Sequence, residues 1–169
     1  MHEVEVKILE VNKEEIVKKI LDMGGEKIFE GNIVGIFFDK ENKLKNSGRL
    51  LRLRKEGGKI ELTYKEKISK DQTKIFEETE VEVDDFEKTK KIFESLGFKP
   101  GKKYPKHRES YKIENTRIEF DTFPEVPTFL EIESEDEKSV LEMAEKLGFK
   151  KEQLKSWTGK QVLEHYNQA

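Results

Sequence analysis

The chain has 169 residues, of which 33 are Lys or Arg and 36 are Asp or Glu, so 41% is charged although the net charge is only −3. Leu, Ile, Val and Phe together number 47 of 169. That is above the ~20% below which highly charged chains stay unfolded, so the reading is a compact, very polar domain and not a disordered polymer. No cysteine is present, which excludes disulfides, zinc ribbons, iron–sulfur clusters and thiol catalysis.

The bulk numbers bound the function further. The longest apolar run, Ile36-Phe37-Phe38, is far short of the ~20 residues a membrane helix needs. Met1-His2-Glu3 does not start a signal peptide, so a cytoplasmic protein without a membrane partner is expected. The slight acidity argues against a general nucleic-acid partner. Abundant Lys and Glu suit a thermophile. The length fits one domain spanning 1–169.

In chain order, a strand is expected over 2–10. A helix follows, with Ile16, Val17, Ile20 and Leu21 on one stripe, capped by Asn12 and stopped at Gly25. Strands are expected over 28–38, 49–55 and 59–67, the last two joined by a Gly57-Gly58 hairpin turn. Another strand covers 75–83. Its helix carries Phe86, Ile92, Phe93 and Leu96, starts at Asp84 or Asp85 and stops at Gly97. Strands over 104–113, 116–122 and 128–134 follow, with a turn at Glu114-Asn115. A third helix bears Val140, Leu141, Ala144 and Leu147, starting at Ser134 or Asp136 and stopping at Gly148, and a short fourth helix is expected near 159–166. Glu10, Glu82 and Glu133 each precede a glycine by fifteen residues, a weak threefold repeat of strand and helix. The fold class is α+β, with antiparallel pairing between neighbours.

Strand side chains alternate between faces, so sequence parity sorts the charges. Glu3, Glu5 and Lys7 share a face opposite Val4, Val6 and Ile8. Likewise Arg52 and Arg54 oppose Leu51 and Leu53, and Glu119 and Asp121 oppose Ile118 and Phe120. The same sorting holds for Glu131 and Glu133 against Leu130 and Ile132, while Lys106 and Arg108 share a face that excludes His107. One charged face therefore collects Lys7, Arg52, Arg54, Lys65, Lys67, Lys106, Arg108 and Arg117. It also collects Glu3, Glu5, Glu61, Glu78, Glu80, Glu82, Glu119, Asp121, Glu131 and Glu133. Cross-strand ion-pair ladders are the plain explanation. Yet Glu78-x-Glu80-x-Glu82 and Arg52-x-Arg54 repel themselves, which ladders alone do not require. Converging carboxylates bind a hard divalent cation such as Mg²⁺ or Mn²⁺. Converging Lys and Arg bind phosphate oxygens, and a metal–triphosphate needs both. His2, His107 and His165 lack ligand spacing, and Trp157 and Tyr166 read as packing for the last helix.

Specific motifs add a resemblance. Glu3-Val4-Glu5-Val6-Lys7 is similar to the N-terminal E-x-E-x-K signature of the CYTH family, the triphosphate tunnel metalloenzymes. The likeness continues in order through Gly48–Arg54, Leu62-Thr63-Tyr64-Lys65, Glu78-Thr79-Glu80, Lys106-His107-Arg108, Ile118–Asp121 and Phe129–Glu133. It is nearest to the class IV adenylate cyclases, with thiamine triphosphatases more distant. The resemblance implies a closed eight-stranded antiparallel barrel with helices outside. It implies that Glu3, Glu5, Glu131 and Glu133 bind metal, with Asp121 supporting, and that Lys7, Arg52, Arg54, Lys65, Lys106 and Arg108 grip phosphates. Glu78 and Glu80 would orient basic residues or hold a second metal. Three readings follow: cyclisation of ATP to cyclic AMP and pyrophosphate, hydrolysis of a triphosphate with Lys65 as base, or a non-catalytic nucleotide- or polyphosphate-binding module. A homodimer is common in the cyclase branch. Lys74-Ile75-Phe76, Glu66-Lys67, Pro127-Thr128 and Ser156-Trp157 depart from the family pattern and leave nucleoside selectivity open.

Overall fold

The computed structural model describes residues 2–67, 75–124 and 126–167, with the side chains of residues 2, 3, 75, 76 and 167 outside the description. Eight strands carry the sheet: β1 (His2–Ile8), β2 (Glu26–Asp39), β3 (Arg49–Glu56), β4 (Lys59–Lys67), β5 (Ile75–Glu82), β6 (Lys99–Ile113), β7 (Thr116–Thr122) and β8 (Phe129–Ser134). The helices are α1 (Lys13–Asp22), a one-turn α2 (Lys43–Asn46), α3 (Phe86–Ser95), α4 (Glu137–Leu147) and α5 (Gly159–Asn167), with a 3₁₀ turn at Lys151–Gln153.

The α+β class and all the expected strands stand. Two strands run longer than expected: β6 begins at Lys99, where pairing with β2 carries the strand through Pro100, and β2 begins at Glu26. Helix starts follow local chemistry. Asn12, Asp85 and Asp136 each accept a hydrogen bond from the backbone N–H three residues on, satisfying one of the free donors of the first turn. The stop after α1 is Gly24, which takes the left-handed conformation, and not Gly25.

All pairings are antiparallel and the sheet is strongly curled. Its order is β1-β5-β4-β3-β2-β6-β7-β8, and β1 also pairs with β8. The seam between β1 and β5 is short, three residue pairs from His2↔Glu77 to Val4↔Ile75, against seven between β4 and β5.

Apolar parity decides which face the helices cover. Val4, Ile8, Ile118, Phe120, Leu130 and Ile132 bury against Ile16 and Ile20 of α1 and Val140, Met143, Ala144 and Leu147 of α4. Ile36, Phe38 and Leu53 form a second cluster, with Phe86 and Phe93 of α3 against them. Residues directly opposite each other on antiparallel strands share a face, so the charged positions are turned to the other, inner side. Val162 of α5 packs on Phe123, Val126 and Phe129 at the edge of that inner side, with Trp157 and Tyr166 alongside as expected. Among the described residues, no helix is long and apolar enough to cross a membrane.

Candidate active site

The inner face is built pair by pair from the strand register. Across β1, β8 and β7 lie Glu5↔Glu133, Lys7↔Glu131, Glu119↔Glu131 and Arg117↔Glu133. Across β6 and β7 lie Arg108↔Asp121 and Ser110↔Glu119. Across β3, β4 and β5 lie Arg54↔Glu61, Arg52↔Thr63, Thr63↔Glu80, Lys65↔Glu78 and Glu61↔Glu82. Ion-pair ladders account for some of these. Glu5↔Glu133, Glu119↔Glu131 and Glu61↔Glu82 are like charges face to face, an arrangement that destabilises a sheet.

The most deeply buried groups surround Arg108. Its Nε donates to Asp121 Oδ1 and its Nη2 to Asp121 Oδ2, each at 2.6 Å. It also pairs with Glu119 and lies 3.6 Å from Glu131. Lys106 donates to the same Asp121 Oδ2 at 2.6 Å, so both Asp121 oxygens are occupied by cations. Lys7 bridges Glu5 at 3.1 Å and Glu131 at 3.3 Å. Glu119, Asp121, Glu131, Lys7 and Arg108 are all buried, where removing charge from water costs several kcal/mol per ion unless it is compensated.

Burial and neighbours split the carboxyl pKa values. Burial, with Glu131 as a hydrogen-bonded neighbour, pushes Glu5 up to about 7 against the pull of Lys7. Burial likewise raises Glu119, although Arg108 opposes it. Glu131 is held well below the ordinary range because Lys7, Arg108 and Lys106 outweigh its burial. Asp121 is also lowered, Lys106 and Arg108 overcoming burial. Burial and Arg108 lower Lys106, against Asp121 and Glu131. Such divergence among adjacent groups is what a site must have to hold acid and base forms together at one pH.

The second wall is basic. Arg54 Nη2 donates to Glu61 at 2.7 Å, Arg52 Nη2 to Thr63 Oγ1 at 3.2 Å, and Lys65 pairs with Glu78 at 2.9 Å. The Nε atoms of Arg52 and Arg54 are buried and make no hydrogen bond among the described residues. Glu80, although its side chain as a whole is exposed, is pushed up to about 7 by partial desolvation of its carboxyl and by its hydrogen bond to Glu61.

The sorting by parity is largely reproduced, with corrections. Arg117, Lys67, Glu80 and Glu82 are exposed, so they flank the charged surface and do not form its depth. Asp121 anchors Lys106 and Arg108, while Glu119, Glu131 and Glu133 present carboxylate oxygens within 4.8 Å of one another. Glu119 thus belongs in the carboxylate cluster, and its sequence signal was the Glu119-x-Asp121 spacing. The side chain of Glu3 lies outside the described residues; its backbone pairs with Phe76. Glu119 Oε2 is buried with no directed hydrogen bond, facing Arg108 as an ion pair. Hard oxygen donors in this number suit Mg²⁺ or Mn²⁺.

His107 turns to the outer face as expected, 3.3 Å from Asn32 Oδ1. Sequence reasoning missed the inner face of β2. Register sets Phe37 opposite Arg52, Gly35 opposite Arg54, Ile33 opposite Lys106 and Gly31 opposite Arg108. Phe29 stands opposite Ser110.

Comparison with known proteins now decides the family. A family model for the CYTH domain matches residues 1–166. The chain belongs to the CYTH domain family. It is 34% identical over 151 residues to "Putative adenylate cyclase MJ0240" of Methanocaldococcus jannaschii, covering 86% of this chain and 82% of that one. The PH1012 protein of Pyrococcus horikoshii OT3 superimposes with a TM-score of 0.79 at 31% identity, over 95% of this chain and 98% of that one. HpAC1 from Hippeastrum, with a dominant triphosphatase activity, superimposes with a TM-score of 0.70 over 97% and 95% of the two chains. At 16% identity that likeness bears on the fold alone. This CYTH domain thus has relatives named for nucleotide cyclisation and a fold neighbour with triphosphatase activity.

Proposed function

We propose that this CYTH protein is a metal-dependent enzyme whose curled sheet closes into a tunnel for a triphosphate, and that its reaction is conversion of ATP to cyclic AMP and pyrophosphate. One observation carries the reading: like-charged carboxylates face each other on β1, β7 and β8, while on the opposite wall β3 turns Arg52 and Arg54 to the same inner side, the Arg52 Nε buried without a hydrogen bond among the described residues. Neither half improves the sheet. Together they suit a ligand bringing cations to the carboxylates and phosphate oxygens to the arginines.

In this reading Glu3, Glu5, Glu119, Glu131 and Glu133 hold Mg²⁺ or Mn²⁺, and Asp121 keeps Lys106 and Arg108 pointed inward. When bound, the metal supplies polarisation of the α-phosphate and activation of the ribose hydroxyl. Lys7, Arg52, Arg54, Lys65, Lys106 and Arg108 grip the phosphates, with Glu78 and Glu80 orienting the cations of the opposite wall. The ribose hydroxyl gives its proton to water as its oxygen forms a bond to the α-phosphorus, and the bond from that phosphorus to the oxygen bridging to the β-phosphate breaks, so that pyrophosphate leaves. These cations stabilise the charge that develops on departing pyrophosphate. Positioning of the phosphate chain and the hydroxyl supplies much of the rate.

Hydrolysis uses the same charged residues with water as nucleophile, so product analysis separates the two. Purified protein is incubated with Mg²⁺ or Mn²⁺ and either ATP or inorganic tripolyphosphate. Cyclic AMP with pyrophosphate supports the cyclase; orthophosphate supports the triphosphatase; binding without turnover supports the binding module. Alanine at both Glu3 and Glu5 abolishes metal-dependent turnover if the carboxylates are catalytic, and survival of turnover refutes the assignment.

A further inference from the structure

Among the described residues, the inner face of β2 carries no charge between Phe29 and Phe37. From one end to the other that face reads Phe29, Gly31, Ile33, Gly35, Phe37, each placed opposite a charged or polar inner residue of β3 or β6. Ile33 is 2% exposed yet belongs to none of the three apolar clusters beneath the helices. It is buried among charged neighbours, where an aliphatic side chain gains nothing from polar contacts.

Gly35 is the centre of this strip. A glycine within a strand weakens it relative to alanine, and commonly marks a bulge, a bend or a close approach by a ligand. Its backbone is not in the left-handed region, and its pairing to Arg54 and Tyr104 falls on register. Local geometry therefore does not demand glycine. The residue is buried, yet a Cβ placed on it meets no atom within 4 Å. The absent side chain leaves room on the inner side of the sheet.

That room has aromatic edges and basic neighbours. Phe37 and Tyr104 stand with ring centroids 6.1 Å apart at 58°. Phe37 is 36% exposed, so its ring is not spent on the apolar core. On β3, Arg54 lies opposite Gly35 and Arg52 opposite Phe37; the Arg52 Nε is buried without a hydrogen bond among the described residues, and the Arg54 Nε has only Glu56, as an ion pair at 3.4 Å. An uncharged strip edged by two tilted rings thus adjoins two phosphate-seeking side chains within one strand spacing, about 5 Å.

We propose that the inner face of β2, with Tyr104, is the subsite for the flat base of a nucleoside triphosphate, the base lying over Gly35 against Phe37 and Tyr104 while its phosphates run toward Arg52 and Arg54. Inorganic tripolyphosphate would have no use for this strip; a base has a face for every aromatic it meets, and stacking strengthens binding severalfold to a hundredfold. The inference rests on the triphosphate reading above and adds to it the residues of β2 and β6 that would hold the base.

The test is Gly35→Val, because valine suits a strand and its Cβ would meet no atom within 4 Å. Dissociation constants for ATP and for inorganic tripolyphosphate are measured by titration calorimetry in Mg²⁺, for the wild type and the variant. The expected result is that the ratio of the ATP constant to the tripolyphosphate constant rises at least tenfold in Gly35→Val. Phe37→Leu, which keeps an apolar side chain but removes the ring, is expected to shift the ratio in the same direction. A ratio unchanged in both variants overturns the base subsite while leaving the triphosphate reading intact. A wild type that binds neither ligand overturns the triphosphate reading, and the subsite with it. Circular dichroism on both variants confirms that the fold is retained.

Discussion

Arg108→Met tests the buried charge network most directly, since methionine keeps the stem of the side chain and removes only the guanidinium. Three carboxylates lose a partner, but not equally. Asp121 retains Lys106 at 2.6 Å and Glu131 retains Lys7 at 3.3 Å. Glu119 keeps only the hydroxyl of Ser110, which donates to it at 3.1 Å. The structure therefore predicts one broken buried ion pair and not three, a loss of about 3–5 kcal/mol. For a chain of this size 1 kcal/mol shifts the melting temperature by roughly 2–4 °C, so the midpoint falls by on the order of 10 °C. Glu119 is already raised by burial and rises further once Arg108 is gone. The folded variant then holds a proton that the unfolded chain releases, so its stability is lost as pH rises and regained as pH falls. Calorimetric melting at pH 5 and pH 8 checks this, with a deficit that shrinks at pH 5. A melting point within a degree of wild type, or an equal deficit at both pH values, refutes the network as described.

Three further outcomes are expected. Glu131→Gln removes an oxygen from the carboxylate cluster, and since even outer-sphere partners of metal ligands cost 10–100-fold, Mn²⁺ affinity measured by calorimetry drops by at least about that factor. Wild-type stability in urea declines as pH rises from about 5 to 8, because folded Glu5 and Glu80 titrate near 7 and bind protons that the unfolded carboxyls have released. Glu5→Gln flattens that decline, and an unaltered slope argues against a protonated Glu5. Phe38→Ala costs about 3–5 kcal/mol, because Phe38 is 2% exposed and packs 5.2 Å from the Phe93 ring. Its neighbour Phe37→Ala, on the other face, costs far less; equal losses in denaturant melts would contradict the assigned faces.

Much of the site was legible because alternation is a local property. Once Val4, Val6 and Ile8 are assigned to the apolar side, Glu5 and Lys7 must turn the other way, whatever the strand pairs with. Helix starts at Asn12, Asp85 and Asp136 were readable for the same reason, since a cap concerns four consecutive residues. β2 was not readable. Its odd positions carry Phe29, Ile33 and Phe37, but its even positions carry Val34, Ile36 and Phe38, so both faces look apolar and parity alone assigns neither. Only the register with Arg52, Arg54, Lys106 and Arg108 shows which set looks inward.

The sequence by itself determined the eight strands and the four longer helices, the α+β class, the segregation of charge from apolar surface and, through ordered motifs, the CYTH family; it showed neither the one-turn α2 nor the 3₁₀ turn. These follow from spacings of two to four residues and from short motifs, which a chain displays before it folds. Tertiary structure decided the partnerships. It set Glu119 beside Glu131 and Glu133, gave both oxygens of Asp121 to Lys106 and Arg108, left Arg117 exposed, and opened room over Gly35 beside two arginines. The physical reason is that charge energetics depend on distance and burial between strands far apart in sequence. Alternation tells each side chain which way to face, and only the register tells it whom it meets.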